Sequence, residues 1–412
     1  MTAMTAPSPW PHVARAAAAL AAGMGVGRFV YTPILPLMHS GAGLSAGAGA
    51  DLATANYVGY LLGALAGILV PRLVRSRAVL RGALLVLTAT LAGMPLAHST
   101  TGWAALRLVA GVASALVFVV AAGSLLHHLR THPPHLSGLA FGGVGAGIAL
   151  SGLLVLVLRT TADWRAAWWA SAALAAVLTG AAWQLRPEDA SAAEPLKADE
   201  RPRTRRWFAV LFVGYTLEGA GYIVAGTFLV AAIGQDSPGW VGSGAWVLVG
   251  LAAVPSTALW ARLAHRWSRP GLLLTALLIQ AVGIALPALV GGPAAALVSA
   301  VLFGATFLGI CTLALATGSQ LRFPRSVALL TAGYSVGQIL GPPAVAPLLH
   351  DGYRSALLLA ALVVLVSAAA TVVLRIGFPH QMVVTGGSRR QSTKDVRPAC
   401  PGPGALAPHS AD

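Results

Sequence analysis

Residues Gly23–Met38 read GMGVGRFVYTPILPLM, inside the first long apolar run of the chain. Arg28 puts a full positive charge near the middle of that run, among three glycines (Gly23, Gly25, Gly27) and two prolines (Pro33, Pro36). A charge at membrane depth costs a few kcal/mol or more and is tolerated facing a protein interior or a water-filled cavity. Pro and Gly loosen a helix there only where neighbouring groups satisfy the freed backbone. The stretch therefore reads as a helix that lines something, not as an anchor.

The rest of the chain agrees that the solvent is a bilayer. Of 412 residues, 57% are hydrophobic and 9% charged, with mean hydropathy +0.76, against about 25% charged in soluble domains. A span needs about 20 apolar residues. Twelve segments qualify: 16–38, 52–71, 78–97, 102–126, 137–158, 164–185, 207–233, 241–261, 271–290, 294–317, 326–349 and 354–376. The expected fold is all-α and integral to the membrane, with twelve transmembrane helices. The run after Arg15 continues too far for the apolar region of a signal peptide, so it reads as an uncleaved first helix. Polar residues 186–206 and 377–412 read as a disordered cytoplasmic linker and tail. They delimit a six-helix half at 1–185 and another at 207–376.

The formal charge of +15 is a topology signal. With twelve spans, 22 of the 27 Lys and Arg fall on the side that holds both termini and three fall opposite. The positive-inside rule puts the termini in the cytoplasm of a bacterial inner membrane. Spreading the basic residues over short loops also removes the nucleic-acid reading. Cys311 and Cys400 make no disulfide framework. No phosphate-binding glycine loop and no nucleophile–base arrangement is present, so no enzyme and no cofactor is expected. The tract His127-His128-Leu-Arg-Thr-His132-Pro-Pro-His135 has the look of a metal site, but without a carboxylate or cysteine it reads as a solvated loop.

The halves look related. Gly25-Val-Gly-Arg-Phe-Val30 matches Gly219-Ala-Gly-Tyr-Ile-Val224 at an offset of 194, and Gly138 and Gly142 match Gly333 and Gly337 at 195. Pseudo-symmetric halves are a transporter architecture with the site between them near mid-membrane.

Of twelve acidic residues, Glu218 alone lies deep in an apolar segment, roughly 16 Å along its axis at 1.5 Å per residue. Tyr215, Glu218, Tyr222 and Ala225 share its face. Arg28 lies at similar depth in the first segment, with Met24, Tyr31 and Thr32 on its face. The two charges read either as a fixed ion pair or as a working proton and substrate site; ionisable groups inside the membrane default to function. Arg107 in the fourth segment reads either as a snorkelling arginine or as part of the pathway. Asn56, Tyr60, Gly63 and Gly67 form a partly polar stripe on the second segment. The fifth and eleventh segments carry glycine stripes, Gly138, Gly142, Gly145 and Gly333, Gly337, Gly341, expected at a close and moving helix contact; Tyr334 and Gln338 beside the latter can reach a cavity.

These stretches resemble the major facilitator superfamily, and within it the YbfB/YjiJ-like group. GVGRFVYTPILPLM, ANYVGYLLGAL, Arg107-x-x-x-Gly111, YTLEGAGYIVAGTFL and GYSVGQILGPP carry the resemblance over roughly 12–376. The loop after the second segment keeps Gly67, Arg72 and Arg75 of the superfamily's pattern, with Pro71 in place of its aspartate. Arg107 and Gly111 match the fourth-helix motif implicated in proton coupling among antiporters. The resemblance implies secondary transport by alternating access. Gly138 through Gly147 resemble the antiporter fifth-helix motif without its proline. The expected function is a proton-coupled secondary transporter of a small organic solute, monomeric, with direction open and the fourth- and fifth-helix motifs leaning towards efflux. A membrane sensor or scaffold on the same fold is the alternative. The expected pathway residues are Arg28, Tyr31, Asn56, Tyr60, Arg107, Tyr215, Glu218, Tyr222, Tyr334 and Gln338.

Overall fold

A computed structural model describes residues 9–129, 132, 135–161, 163–187, 204–237 and 239–379. Most of the linker and nearly all of the tail lie outside them. Among the described residues the secondary structure is helical, with no strand. Each of the twelve apolar segments coincides with a helix. The first is irregular: α1 (Trp10–Leu20), a π-helical turn (Ala21–Val26), four turn residues, then α2 (Tyr31–Ala42). There follow α3 (Ala46–Leu69), the single turn α4 (Pro71–Val74), α5 (Arg77–Gly93), α6 (Thr100–His128), α7 (His135–Leu158) and α8 (Trp164–Ala182). Beyond the linker come α9 (Arg205–Asp236), α10 (Gly239–Leu263), α11 (Arg269–Leu289), α12 (Gly292–Gln320), α13 (Ser326–Val345) and α14 (Arg354–Arg375). Nine of the described helical runs are long and apolar enough to cross a membrane; α5, α8 and α13 are not among the nine.

Caps explain where the helices start. The Ser45, Ser76, Ser99 and Asp163 side chains accept from the backbone N–H of Ala48, Val79, Gly102 and Ala166, satisfying donors that a first turn otherwise leaves unpaired. Ser45 therefore opens α3 six residues ahead of the apolar run that begins at 52. Gly43, at φ +66°, closes α2 in the left-handed conformation that glycine adopts without penalty.

Of the helices before the linker, α3 and α5 pack on α6 and α8 on α5, while α7 touches α1 and the π turn but makes its most extensive contact outside the set, with α10. Of those after it, α9 packs on α13 and α14, and α12 on α10 and α11. The main contacts between the two sets are α7 with α10, α3 with α13, and α2 with α9.

The glycine stripes sit at close backbone contacts, but not equivalent ones. A β-carbon on Gly142 would lie 2.7 Å from the Val254 carbonyl, and one on Gly145 would lie 2.6 Å from the Val254 nitrogen, so this stripe seats α7 on α10. The Thr257 hydroxyl donates to the Gly138 carbonyl along the same seam. Gly333, Gly337 and Gly341 instead face Phe212, Thr216 and Ala220 of α9. The match at offset 195 therefore pairs glycines that do different work. Gly143 and Gly147, which seat α7 against Ala17 and Ala21, are matched to Gly337 and Gly341 at offset 194, the offset of the first and seventh segments.

Candidate functional site

The site is built on the interruption of the first helix. Gly27 donates to Ala22 O and Phe29 to Met24 O, five residues back, which is the π pattern. Pro33 has no N–H to offer the Phe29 carbonyl, and that carbonyl accepts from Thr32, three residues on, instead. The carbonyls of Gly27 and Arg28 point out of the broken helix. Both are caught by Arg107, whose Nη1 donates to Gly27 O at 3.3 Å and Nη2 to Arg28 O at 3.2 Å.

Arg107 is 1% exposed and its guanidinium lies 4.8 Å from the Tyr31 ring centroid. It does not snorkel; it replaces the intrahelical donors the break removes. Asn56 Nδ2 donates to the Arg107 carbonyl at 2.9 Å, and Ser114 Oγ donates to Gly23 O at 2.5 Å, so α3 and α6 together grip the irregular turn. Tyr31 is held at its far end by donating to Gly49 O.

Arg28, on the break itself, turns the other way. It is 3% exposed. Its Nη2 donates to Gln338 Oε1 at 2.6 Å, joining α13 to the first helix. Its guanidinium lies 4.4 Å from the ring centroid of Tyr60, 5.0 Å from that of Tyr57 and 5.4 Å from that of Phe29. Cation–π contacts in such desolvated places contribute about 2 kcal/mol, and here they occupy the charge in place of a carboxylate. Arg28 makes no ion pair with Glu218; the fixed-pair reading is corrected to an arginine held by an amide and three rings. Two further bonds join the helix sets beside it: Thr32 donates to Gly226 O, and the Tyr57 and Thr227 hydroxyls lie 2.8 Å apart.

Glu218, on α9, is fully buried and neither carboxylate oxygen has a hydrogen-bond partner. Gln280 of α11 and Tyr334 of α13 are the polar groups beside it and the ones placed to donate to it, although neither bond closes to full hydrogen-bond distance and angle. Gln280 is also fully buried with both amide atoms unpaired. Around them runs a ladder of near-parallel rings. Tyr215 stacks on Tyr334 at 4.4 Å, Tyr334 on Tyr222 at 5.8 Å, and Tyr222 on Phe307 and Phe303 at 5.6 and 5.9 Å, none tilted beyond 19°. Phe29 meets Phe307 edge-on, tying the ladder to the Arg28 nest. Cys311 Sγ lies 3.5 Å from the Tyr334 hydroxyl.

All ten pathway residues expected from the sequence lie in this centre, in two neighbouring nests. Tyr31, Asn56, Tyr60 and Arg107 belong with Arg28, and Gln338 bridges to it; Tyr215, Tyr222 and Tyr334 belong with Glu218. Gln280, Tyr57, Thr227, Phe303 and Phe307 were missed. Tyr57 stood out in the sequence only as a neighbour of the stripe on the second segment, and Gln280 carried a signal as the one amide in the apolar run 271–290. The histidine tract holds no metal cluster among the described residues; His12 stacks on His128 at 4.1 Å.

Solved structures share this arrangement of helices. A structure of the nucleoside transporter NupG aligns with TM-score 0.64 at 14% identity, over 88% of this chain and 98% of that one. A point mutant of NupG gives 0.65 at 14%, over 89% and 98%. At that identity the likeness shows the fold alone. The sequence places it further: the chain belongs to the family described as uncharacterised MFS-type transporter YbfB, whose model matches residues 20–372. No curated protein matches it.

Proposed function

We propose that this transporter moves a small organic solute across a bacterial inner membrane by alternating access, driven by protons. In this reading the twelve helical segments all cross the bilayer as two six-helix halves, with both termini cytoplasmic, and the protein works as a monomer without catalytic activity. The observation that carries the proposal is Glu218. A carboxyl fully enclosed by protein, with no donor and no counter-charge bonded to it, is costly to keep unless its bonding changes during a cycle. In the neighbouring nest, linked to the ring ladder through Phe29 and Phe307, the Arg28–Gln338 bond joins the two sets of helices and must part if the sets rock against each other.

The substrate is to be found by a metabolite uptake and efflux screen in a deletion strain. Nucleosides, the cargo named for the two solved neighbours, belong in the first panel. In proteoliposomes, Glu218→Gln is then expected to abolish accumulation driven by a pH gradient while leaving counterflow exchange. Gradient-driven accumulation that survives in Glu218→Gln removes Glu218 as the coupling group. The same assay reads the direction of transport; the resemblance of the fourth and fifth segments to antiporter motifs favours efflux.

A further inference from the structure

We propose that the enclosure formed by Glu218, Gln280 and the ring ladder binds a flat heteroaromatic solute carrying an amidine-type edge, two adjacent N–H donors. This rests on the transporter reading and names the class of its substrate. Three observations converge on one place. Both oxygens of Glu218 are unpaired, and both ends of the Gln280 amide are unpaired, on side chains with no solvent exposure. Buried polar groups are otherwise nearly always bonded, so neighbouring orphans mark bonds that something else completes. A carboxylate accepts two parallel N–H bonds, the geometry of a fork. Gln280 adds one acceptor and two donors to the same rim. The chemistry asked for is therefore a pair of adjacent N–H groups with an acceptor nearby.

The walls ask for a flat ring. Tyr215, Tyr334, Tyr222, Phe303 and Phe307 already stack on one another, too close for a further ring between them, so a flat solute gains stacking by taking the place of one ring in the ladder. In this state Arg28 holds Gln338 and three rings, so the charged group left to recognise a solute is the carboxylate of Glu218. Tyr334 and Cys311 are only partly buried. The exposed apolar residues of α13 are Val327, Leu329, Val336 and Leu340, and Tyr334 lies opposite Val336 but on the face of Val327, seven residues back. The ring ladder thus has a partly exposed edge, with a thiol on it.

Cys311 supplies the readout. In full-length protein carrying Cys400→Ser, reconstituted in nanodiscs, alkylation by N-ethylmaleimide is timed with 9-methylguanine or 2-aminobenzimidazole, both of which carry the donor pair. At concentrations about tenfold above half-saturation, these probes are expected to slow the reaction roughly tenfold. Their analogues with the donor nitrogens fully methylated, and the flat cation N-methylquinolinium, are expected to leave it unchanged. Gln280→Leu should abolish protection, and Glu218→Gln, which keeps one of the two acceptor oxygens, should only weaken it, each variant melting within a few degrees of the parent. Protection by all the flat probes alike, by N-methylquinolinium alone, or by none overturns the proposal. Proton-coupled flux of other solutes without protection removes this site and leaves the transporter standing; protection without flux of any protected probe does the reverse.

Discussion

Arg107 shows how much one side chain does here. Its two bonds to the Gly27 and Arg28 carbonyls are what allow a helix to break inside an apolar core, where an unsatisfied carbonyl costs several kcal/mol. Arg107→Met removes both donors and the stack on Tyr31. Each orphaned acceptor costs about 1–3 kcal/mol, so the variant is expected to melt several degrees lower in nanodiscs. Arg107→Lys keeps the charge but has no planar fork to span two carbonyls, and is expected to recover only part of the loss. A melting temperature for Arg107→Met equal to the parent's would show that the break is held by other groups. The resemblance assigns this position to proton coupling; the geometry gives it a structural task that loss of transport alone does not distinguish, which is why the melt is the measurement.

At the scale of the element, the glycines of α7 set how near it comes to α10. Gly142→Leu places a side chain against the Val254 carbonyl, and Gly337→Leu does the same against Thr216 of α9. Overpacking costs typically 1–3 kcal/mol, more where the obstacle is backbone that cannot rotate away. Both variants should still insert, because each segment stays apolar. Gly142→Leu is expected to cut flux through the contact between the helix sets. Gly337→Leu is expected to act within the set after the linker, lowering the melting temperature more than it alters exchange kinetics. If the two variants behave identically, the distinction between their contacts has no functional weight. The irregular first helix follows the same logic: Gly25 lies so close to Gly147 that a β-carbon would fall 2.5 Å from its Cα, so small residues on both elements let the π turn nest against α7.

For the whole molecule, the charge distribution makes the prediction. If 22 of 27 basic residues face the cytoplasm, single cysteines at Ser191 and Ser388, in a chain lacking Cys311 and Cys400, will resist an impermeant thiol reagent in intact cells and react after lysis. Labelling of either without lysis breaks the twelve-crossing topology. The bonds Arg28–Gln338, Thr32–Gly226 and Tyr57–Thr227 connect helices from opposite ends of the chain, and rocking of one set against the other has to exchange them for other partners.

The sequence by itself determined that the chain lives in a bilayer, where its helical segments run, and which residues matter most, because charge and polarity inside an apolar run are rare enough to stand out singly. Arg28, Glu218 and Arg107 needed no structure to be found. What they do was decided only by tertiary structure. The partner of Arg28 is Gln338, 310 residues away, and the partners of Arg107 are carbonyls exposed by a break whose extent depends on how α6 packs. Phe303 and Phe307 look like any other apolar residues in a long run, and their ring ladder exists only once α9, α12 and α13 meet. Hydropathy is a property of each residue and survives in the sequence; hydrogen-bond partners and ring stacks are properties of pairs, and those pairs form only when the chain is folded.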